Sequence, residues 1–262
     1  MKKEKLSGPD GFEIYYSSMF GERWPILKAS LLKESKAVAY DKNLTKTYYL
    51  DYASVQAAMA LPSLEDGCCL DMCAAPGGKT LVLLNKMGGE IQANEISAER
   101  RNRLIRVLDE HVQEKDRNRI KVSSYDAARM PRYCHEVYER ILLDAPCSSE
   151  RHVLQNEKYL KQWTEARIKN LVQRQWALLS AAFLLLKPAG FLVYSTCALS
   201  DAENDNLIER LLSKYKDKVE TVLIPQDSFV PIVPEKTKYG YRFLPDLAEG
   251  SGPIYFSLIK KK

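Results

Sequence analysis

Histidine is scarce in this sequence, and the scarcity narrows its chemistry. Three occur in 262 residues, at positions 111, 135 and 152, and none stands at ligand spacing from the cysteines at 68, 69 and 73. The cluster Cys68, Cys69, Cys73 holds no C-x-x-C pair, so no zinc or other metal site is expected. Also missing is any apolar run approaching the ~18 residues of a membrane span. The opening stretch MKKEKLSGPD lacks the apolar middle of a secretion signal. The expectation is a soluble, intracellular protein with no membrane partner, cytoplasmic if the source is bacterial, with no organellar targeting evident. Six cysteines in such a chain read as free thiols in a reducing compartment. No internal repeat is evident, and the length suits one main domain with a small appendage.

A glycine is missing where it would matter most. The stretch DMCAAPGGKT, residues 71–80, ends like a phosphate-binding loop. That loop needs a glycine five positions before its Gly-Lys-Thr, so that backbone amides can curl around phosphates. Cys73 stands there instead, and Pro76 removes a further amide donor. A triphosphate cradle is therefore disfavoured.

What is present is a modest excess of basic charge, 39 Lys and Arg against 34 Asp and Glu. The runs ERRNRLIR (99–106) and KDRNRIK (115–121) and the terminal KKK concentrate it. Each run alone is an ordinary solvated face, and together they fit a polyanionic partner such as nucleic acid. Residues 1–62 read as a mainly helical extension, with a helix near 22–34, an extended segment at 48–50 and a short helix at 53–60. From 63 to 262 short apolar runs alternate with helical patterns. GCCLDM, EIQANE, IKVSS, ERILLDAP and FLVYSTC are five strands, with later strands near 218–224 and 253–259. A long amphipathic helix spans 164–186, with Ile168, Leu171, Val172, Leu179, Ala182, Phe183 and Leu186 on its buried side, and KPAG ends it. Ser200-Asp201-Ala202-Glu203 has the pattern of a capping box. Such alternation predicts an α/β fold, a doubly wound, mostly parallel sheet with helices on both faces and ligands at the strands' carboxyl ends.

The strand ends carry the candidate site. Gly77 and Gly78 open a helix and permit close approach of a ligand. Glu95 ends the second strand, where an acid can accept both hydrogen bonds of a ribose diol. Asp126, after the third strand, could receive the exocyclic amine of an adenine. These features fit an adenosine without a triphosphate. Cys147 and Cys197 follow two further strands on the same edge, beside the ligand-binding rim. A structural cysteine is the ordinary reading of either one; as a pair they point to covalent thiolate chemistry.

DMCAAPGGKT, DAPCSSER and YSTCALS, in this order, resemble the Sun family (the Nop/Sun and Fmu group) of RNA cytosine-5 methyltransferases. The resemblance covers nearly the whole chain. YYSSMFGERWP near the N-terminus and YRFLPDLAEGSGPIYFSLIKK at the C-terminus resemble the subgroup with the mitochondrial ribosomal-RNA enzymes. It implies a Rossmann-like class I methyltransferase that uses S-adenosylmethionine on RNA, with ribosomal RNA favoured and transfer RNA the alternative. It implies Cys197 as the nucleophile toward cytosine, Cys147 for product release, Asp144 on the base, and Lys79 pointing toward Asp144. A lysine at a helix N-terminus opposes the helix dipole, which favours a functional reading of Lys79. The implied cofactor contacts are Cys73, Ala74, Ala75, Pro76, Gly77, Gly78, Lys79, Glu95, Arg100, Asp126 and Asp144. Glu95 departs from the commoner aspartate, and SGP at 251–253 from a commoner Asp-Gly-Phe. A monomer is expected, with a protein partner for RNA specificity left open. The rivals are a nucleoside-triphosphate-dependent protein and a non-catalytic RNA-binding subunit, the latter at odds with two intact thiols and Asp144.

Overall fold

Proline and aspartate start the first helix. In the computed structural model, which describes residues 6–35 and 37–262, Pro9 and Asp10 lie in the first turn of α1 (Gly8–Phe20). There proline needs no hydrogen bond and an acid complements the helix dipole. Pro25 does the same for α2 (Trp24–Leu32). The sequence reading placed a single helix at 22–34; α1 is an addition. Its Phe12 and Tyr16 join Trp24, Leu27 and Leu31 of α2 in a buried cluster with Val153, Trp163 and Leu199. Next come strands β1 (Ala37–Tyr40) and β2 (Tyr48–Asp51), paired antiparallel, and α3 (Tyr52–Met59), whose first turn Asp51 caps by accepting from the Ala53 N–H at 2.8 Å.

The main sheet begins at β3 (Cys68–Asp71). In chain order follow α4 (Gly78–Leu84), β4 (Glu90–Asn94), α5 (Ala98–His111), α6 (Glu114–Arg117), β5 (Ile120–Ser123) and β6 (Tyr138–Asp144). Two short helices, α7 (Glu150–Leu154) and α8 (Glu157–Lys161), precede the long α9 (Glu165–Leu185), which Thr164 caps. The chain closes with β7 (Leu186–Thr196), α10 (Asp205–Tyr215), β8 (Val219–Thr221), β9 (Glu235–Lys236), β10 (Tyr241–Phe243) and β11 (Ile254–Lys261). The strands form one nine-stranded sheet in the order β5-β4-β3-β6-β7-β11-β10-β9, with β8 also on β11. Pairing is parallel from β5 to β7 and antiparallel beyond. The chain runs outward from β3 to β5, then returns to β6 on the other side of β3. That reversal opens a crevice at the carboxyl ends of β3 and β6.

Apolar side chains cover both faces. One cluster joins Leu81, Leu83 and Leu104 to Ile91 and Val193; the other joins Leu179, Ala182 and Phe183 to Leu70, Ile141 and Leu192. Two sequence expectations need correction. KPAG does not separate helix from strand by a loop, because β7 already starts at Leu186 and carries the segment as an irregularity, its register shifting between Tyr138 and Arg140 on β6. Ala189 takes a positive φ of 62° there, which marks a bulge. Nor do Ser200 and Glu203 form a capping box. Ser200 accepts from the Ala202 N–H at 3.3 Å, while Glu203 turns inward and α10 starts at Asp205.

Candidate active site

Loop 71–80 runs along the crevice. Asp71, the last residue of β3, is buried, and its Oδ2 accepts from Thr80 Oγ1 at 2.7 Å. Its Oδ1 has no partner. Burial pushes this carboxyl up to about 7, against the pull of the Thr80 hydrogen bond. Gly77 has a φ of 120°, and a Cβ there would lie 3.0 Å from Val107 Cγ1, so it serves the turn and the packing on α5. A Cβ at Gly78 would lie 2.9 Å from a Tyr48 ring carbon.

Three neighbouring cavities with shared walls follow the crevice. The first, about 160 Å³, is lined by Cys73, Glu95, Ile96, Arg100, Tyr125 and Leu178 among others. Glu95 is 3% exposed. Its Oε1 accepts from the Ser97 N–H at 2.9 Å. Its Oε2 lies 3.3 Å from Arg100 Nη1 yet receives no well-aligned hydrogen bond. A buried carboxylate oxygen with spare capacity is what a ribose diol would satisfy, so the residues present fit the adenosine of S-adenosylmethionine. Arg100 donates through its other nitrogen to the Ala75 carbonyl at 2.8 Å, tying α5 to the loop. A second cavity, about 100 Å³, lies between Tyr48, Asp71, Ala74, Pro76, Gly78, Lys79 and Asp144. Asp71 lines this cavity, and its unpartnered Oδ1 has capacity for a donor.

The third cavity, about 400 Å³, shares Cys73 and Arg100 with the first and Lys79 and Asp144 with the second. Lys79 Nζ lies 2.8 Å from Asp144 Oδ2, and Asp144 Oδ1 accepts from Ser195 Oγ at 2.7 Å. Burial alone would depress the lysine, but the Asp144 carboxylate outweighs it and the net shift is upward. Cys147 and Cys197, on the loops after β6 and β7, bring their sulfurs to 2.7 Å. Cys147 Sγ also accepts from the Cys197 N–H at 3.2 Å, and Ser149 Oγ lies 3.2 Å from Cys197 Sγ. The hydrogen bond with Cys197, then burial, push the Cys147 thiol well up. A further hollow of about 340 Å³ continues past Ser149, Cys197 and Ile254 toward Asp51, Arg151 and His152.

Most of the residues singled out from sequence therefore meet in one trough. Cys73, Lys79, Arg100, Asp144, Cys147 and Cys197 share the third cavity, and Ala74, Ala75, Pro76, Gly78 and Glu95 line the two beside it. Asp126 is not on these walls. Its carboxylate accepts from Arg174 at 2.7 Å, which holds it below the usual aspartate range against some burial. Gly77 is likewise turned to the core. Sequence reasoning assigned no role to Asp71, though it lies in the quoted loop, and missed Asp51, Ser54 and Ser149. Asp51 was detectable as the cap of an apolar helix pattern; it also accepts from Ser251 Oγ at 2.7 Å, fixing the SGP loop on the trough. Among the described residues no cluster suited to a metal occurs, and no helix is long and apolar enough to cross a membrane.

The family described as 16S rRNA methyltransferase RsmB/F matches residues 58–259. The 5-cytosine rRNA methyltransferase NSUN4 of Bos taurus is 34% identical over 226 residues, covering 80% of this chain and 58% of that protein. The mitochondrial tRNA (cytosine(34)-C(5))-methyltransferase of Danio rerio is 32% identical, covering 83% of this chain and 61% of that one. The chain thus spans about three-fifths of the length of these curated relatives. The crystal structure of NSun6 from Pyrococcus horikoshii with SFG superposes with a TM-score of 0.65 at 28% identity, over 82% of this chain and 53% of that one. The sheet order and these matches make the fold Rossmann-like, of the class I methyltransferase type.

Proposed function

Because the chain belongs to the RsmB/F family of 16S rRNA methyltransferases, we propose that it transfers a methyl group from S-adenosylmethionine to carbon 5 of a cytosine in RNA, with Cys197 as nucleophile. The observation that carries this is the meeting of two thiols with the Lys79–Asp144 pair in one cavity, which shares Cys73 and Arg100 with the Glu95 cavity. Ribosomal RNA is the substrate class of choice, because the family's description names it. The similarity to the Danio rerio enzyme supports transfer RNA as the second reading.

S-adenosylmethionine supplies an electrophilic methyl group. Glu95 would accept from its ribose, Asp71 from its amine, and the loop at Cys73 and Gly78 would lie along it. Carbon 5 of cytosine is a poor nucleophile, so the ring must first be activated. The Cys197 thiolate adds to carbon 6, and the displaced electron pair makes carbon 5 nucleophilic. Asp144, aimed by Lys79 and Ser195, accepts from the base's amino group and meets ring nitrogen 3, where charge collects, and so stabilises the activated ring. After methyl transfer a water molecule in the trough takes the carbon 5 proton, the C–H electron pair re-forms the ring double bond, and Cys197 leaves as the thiolate. Cys147 serves this release, because its upward-shifted thiol keeps a proton to donate in a hydrogen bond to the departing Cys197 sulfur.

RNA selection would come from the N-terminal extension, the basic face of α5 or a partner protein, and the target base must leave its stack to reach the trough. Cys197→Ala is expected to abolish methyl transfer while S-adenosylmethionine still binds; retained turnover refutes the nucleophile. Cys147→Ser is expected to trap RNA covalently, seen as a shifted band on a denaturing gel. An unshifted band removes its release role. A titration favouring ATP over S-adenosylmethionine would overturn the reading altogether.

A further inference from the structure

Two buried glutamates lie directly behind the thiols, and the reaction as described does not use them. Glu150 and Glu203 are both 0% exposed, on different segments of chain. The Ser148 hydroxyl lies within hydrogen-bond reach of Glu150 Oε1 and Glu203 Oε2. The other contacts of each carboxyl are donors. Glu150 Oε1 accepts from Tyr16 Oη of α1, and its Oε2 from the Leu199 N–H at 3.1 Å. Glu203 Oε1 accepts from the Ser148 N–H at 3.2 Å and from Gln175 Nε2 at 3.1 Å.

A count of protons gives the arrangement its meaning. Ser148 has one hydroxyl proton, and two carboxyl oxygens face it. It can donate to one of them only, so the other carboxyl must bring a proton of its own. Glu150 already receives donors on both oxygens, whereas Glu203 Oε2 faces the hydroxyl and, at 3.4 Å, the Ser148 N–H. The consistent chain runs from Glu203 as an acid to Ser148 Oγ, and from Ser148 as donor to Glu150. The charged and titratable groups around the pair are Tyr15 and Tyr16 on α1, Asp144 at the end of β6, Cys147 after it, Tyr194 on β7 and Glu165 on α9. Among the described residues no cation pairs with either glutamate, and burial followed by the Glu150 charge pushes Glu203 upward.

We propose that Glu150 and Glu203 share one proton through Ser148, and that this dyad, clamped by Tyr16 of the N-terminal extension, is the positioning device that holds the two thiol-bearing loops in register. Ser148 follows Cys147 directly, and Leu199, whose N–H Glu150 binds, lies two residues after Cys197. The functional part of the statement rests on the methyltransferase reading above. The proton count does not.

The arrangement is asymmetric, and so is its test. Glutamine at 203 keeps an oxygen toward Gln175 and presents an amide donor to Ser148, reproducing the acid. Glutamine at 150 must set its NH2 either against the Leu199 N–H, donor against donor, or against the Tyr16 and Ser148 hydroxyls that donate there, leaving Tyr16 without its acceptor. Glu203→Ala and Glu150→Ala are each expected to slow, by about tenfold, both kcat and the joining of the two thiols by diamide, with KM for RNA unchanged. Glu203→Gln should restore both rates and extend activity to more alkaline pH; Glu150→Gln should restore neither. Infrared spectra of the wild-type protein should contain a buried protonated-carboxyl band that Glu203→Gln removes. Equal behaviour of the two glutamine variants, or a band untouched by Glu203→Gln, would overturn the proposal. The diamide and infrared readings require no methyl transfer, so an inactive wild-type protein would refute the proposed function and leave this one decided separately.

Discussion

The Lys79–Asp144 pair permits a quantitative test of the trough's electrostatics. Its side chains are 14% and 31% exposed, respectively. A fully buried pair broken from one side costs about 3–5 kcal/mol, whereas an exposed pair contributes about 1 kcal/mol or less, so this one should fall between. Lys79→Met leaves Asp144 with the Ser195 hydroxyl and partial access to water, and should cost about 1 kcal/mol. Asp144→Asn leaves the more buried lysine with a neutral amide and a Ser54 Oγ 3.4 Å away, and should cost about 2 kcal/mol. At roughly 2–4 °C per kcal/mol for a chain of this size, thermal unfolding resolves both. The double variant should cost less than the sum of the singles by about 1 kcal/mol. Additive single-variant costs, or a lysine variant clearly worse than the aspartate one, would refute the reasoning. Both singles are expected to lose methyl transfer far beyond their loss of stability.

Two further outcomes follow from unpartnered oxygens. Glu95→Gln should weaken S-adenosylmethionine binding by about 10–100-fold, the worth of a hydrogen bond to a charged acceptor, with unfolding little changed; calorimetric titration measures it, and unchanged affinity would remove Glu95 from the ribose. Asp71, pushed up to about 7 from an unfolded value near ~4, keeps its proton in the native state where the unfolded chain has lost it. Its contribution therefore makes stability fall as pH rises from about 4 to 7 and level off above. Asp71→Asn should flatten that part of the pH–stability curve, by between about 1 and 4 kcal/mol. An unaltered slope would contradict the assignment.

The sheet and most of the trough were legible because strand ends and periodic helices leave strong local signals. Cys147 and Cys197 could be placed side by side because each follows a strand by a short loop, and Asp144 pairs with Ser195 in the same register. What the sequence hid was long-range. Glu203 stands in the local pattern of a capping box, and only the approach of Ser148 and Gln175 from elsewhere in the chain turns it inward. Gln175 interrupts the apolar face expected for α9, because its amide is needed by the Pro146 carbonyl at 2.9 Å. Leu171 and Val172, expected on that face, are only half-buried. The role of α1 was also invisible, because Tyr16 gains its meaning from Glu150, far along the chain.

The central claim is a transient bond between the Cys197 sulfur and carbon 6 of the target cytosine. RNA substrate carrying 5-fluorocytidine has no removable carbon 5 proton, so it should remain attached after methyl transfer. Digestion and mass spectrometry of the trapped complex should then find the nucleotide on the peptide that contains Cys197. A crosslink on the Cys147 peptide instead, or none in a preparation that methylates unmodified RNA, would contradict the account.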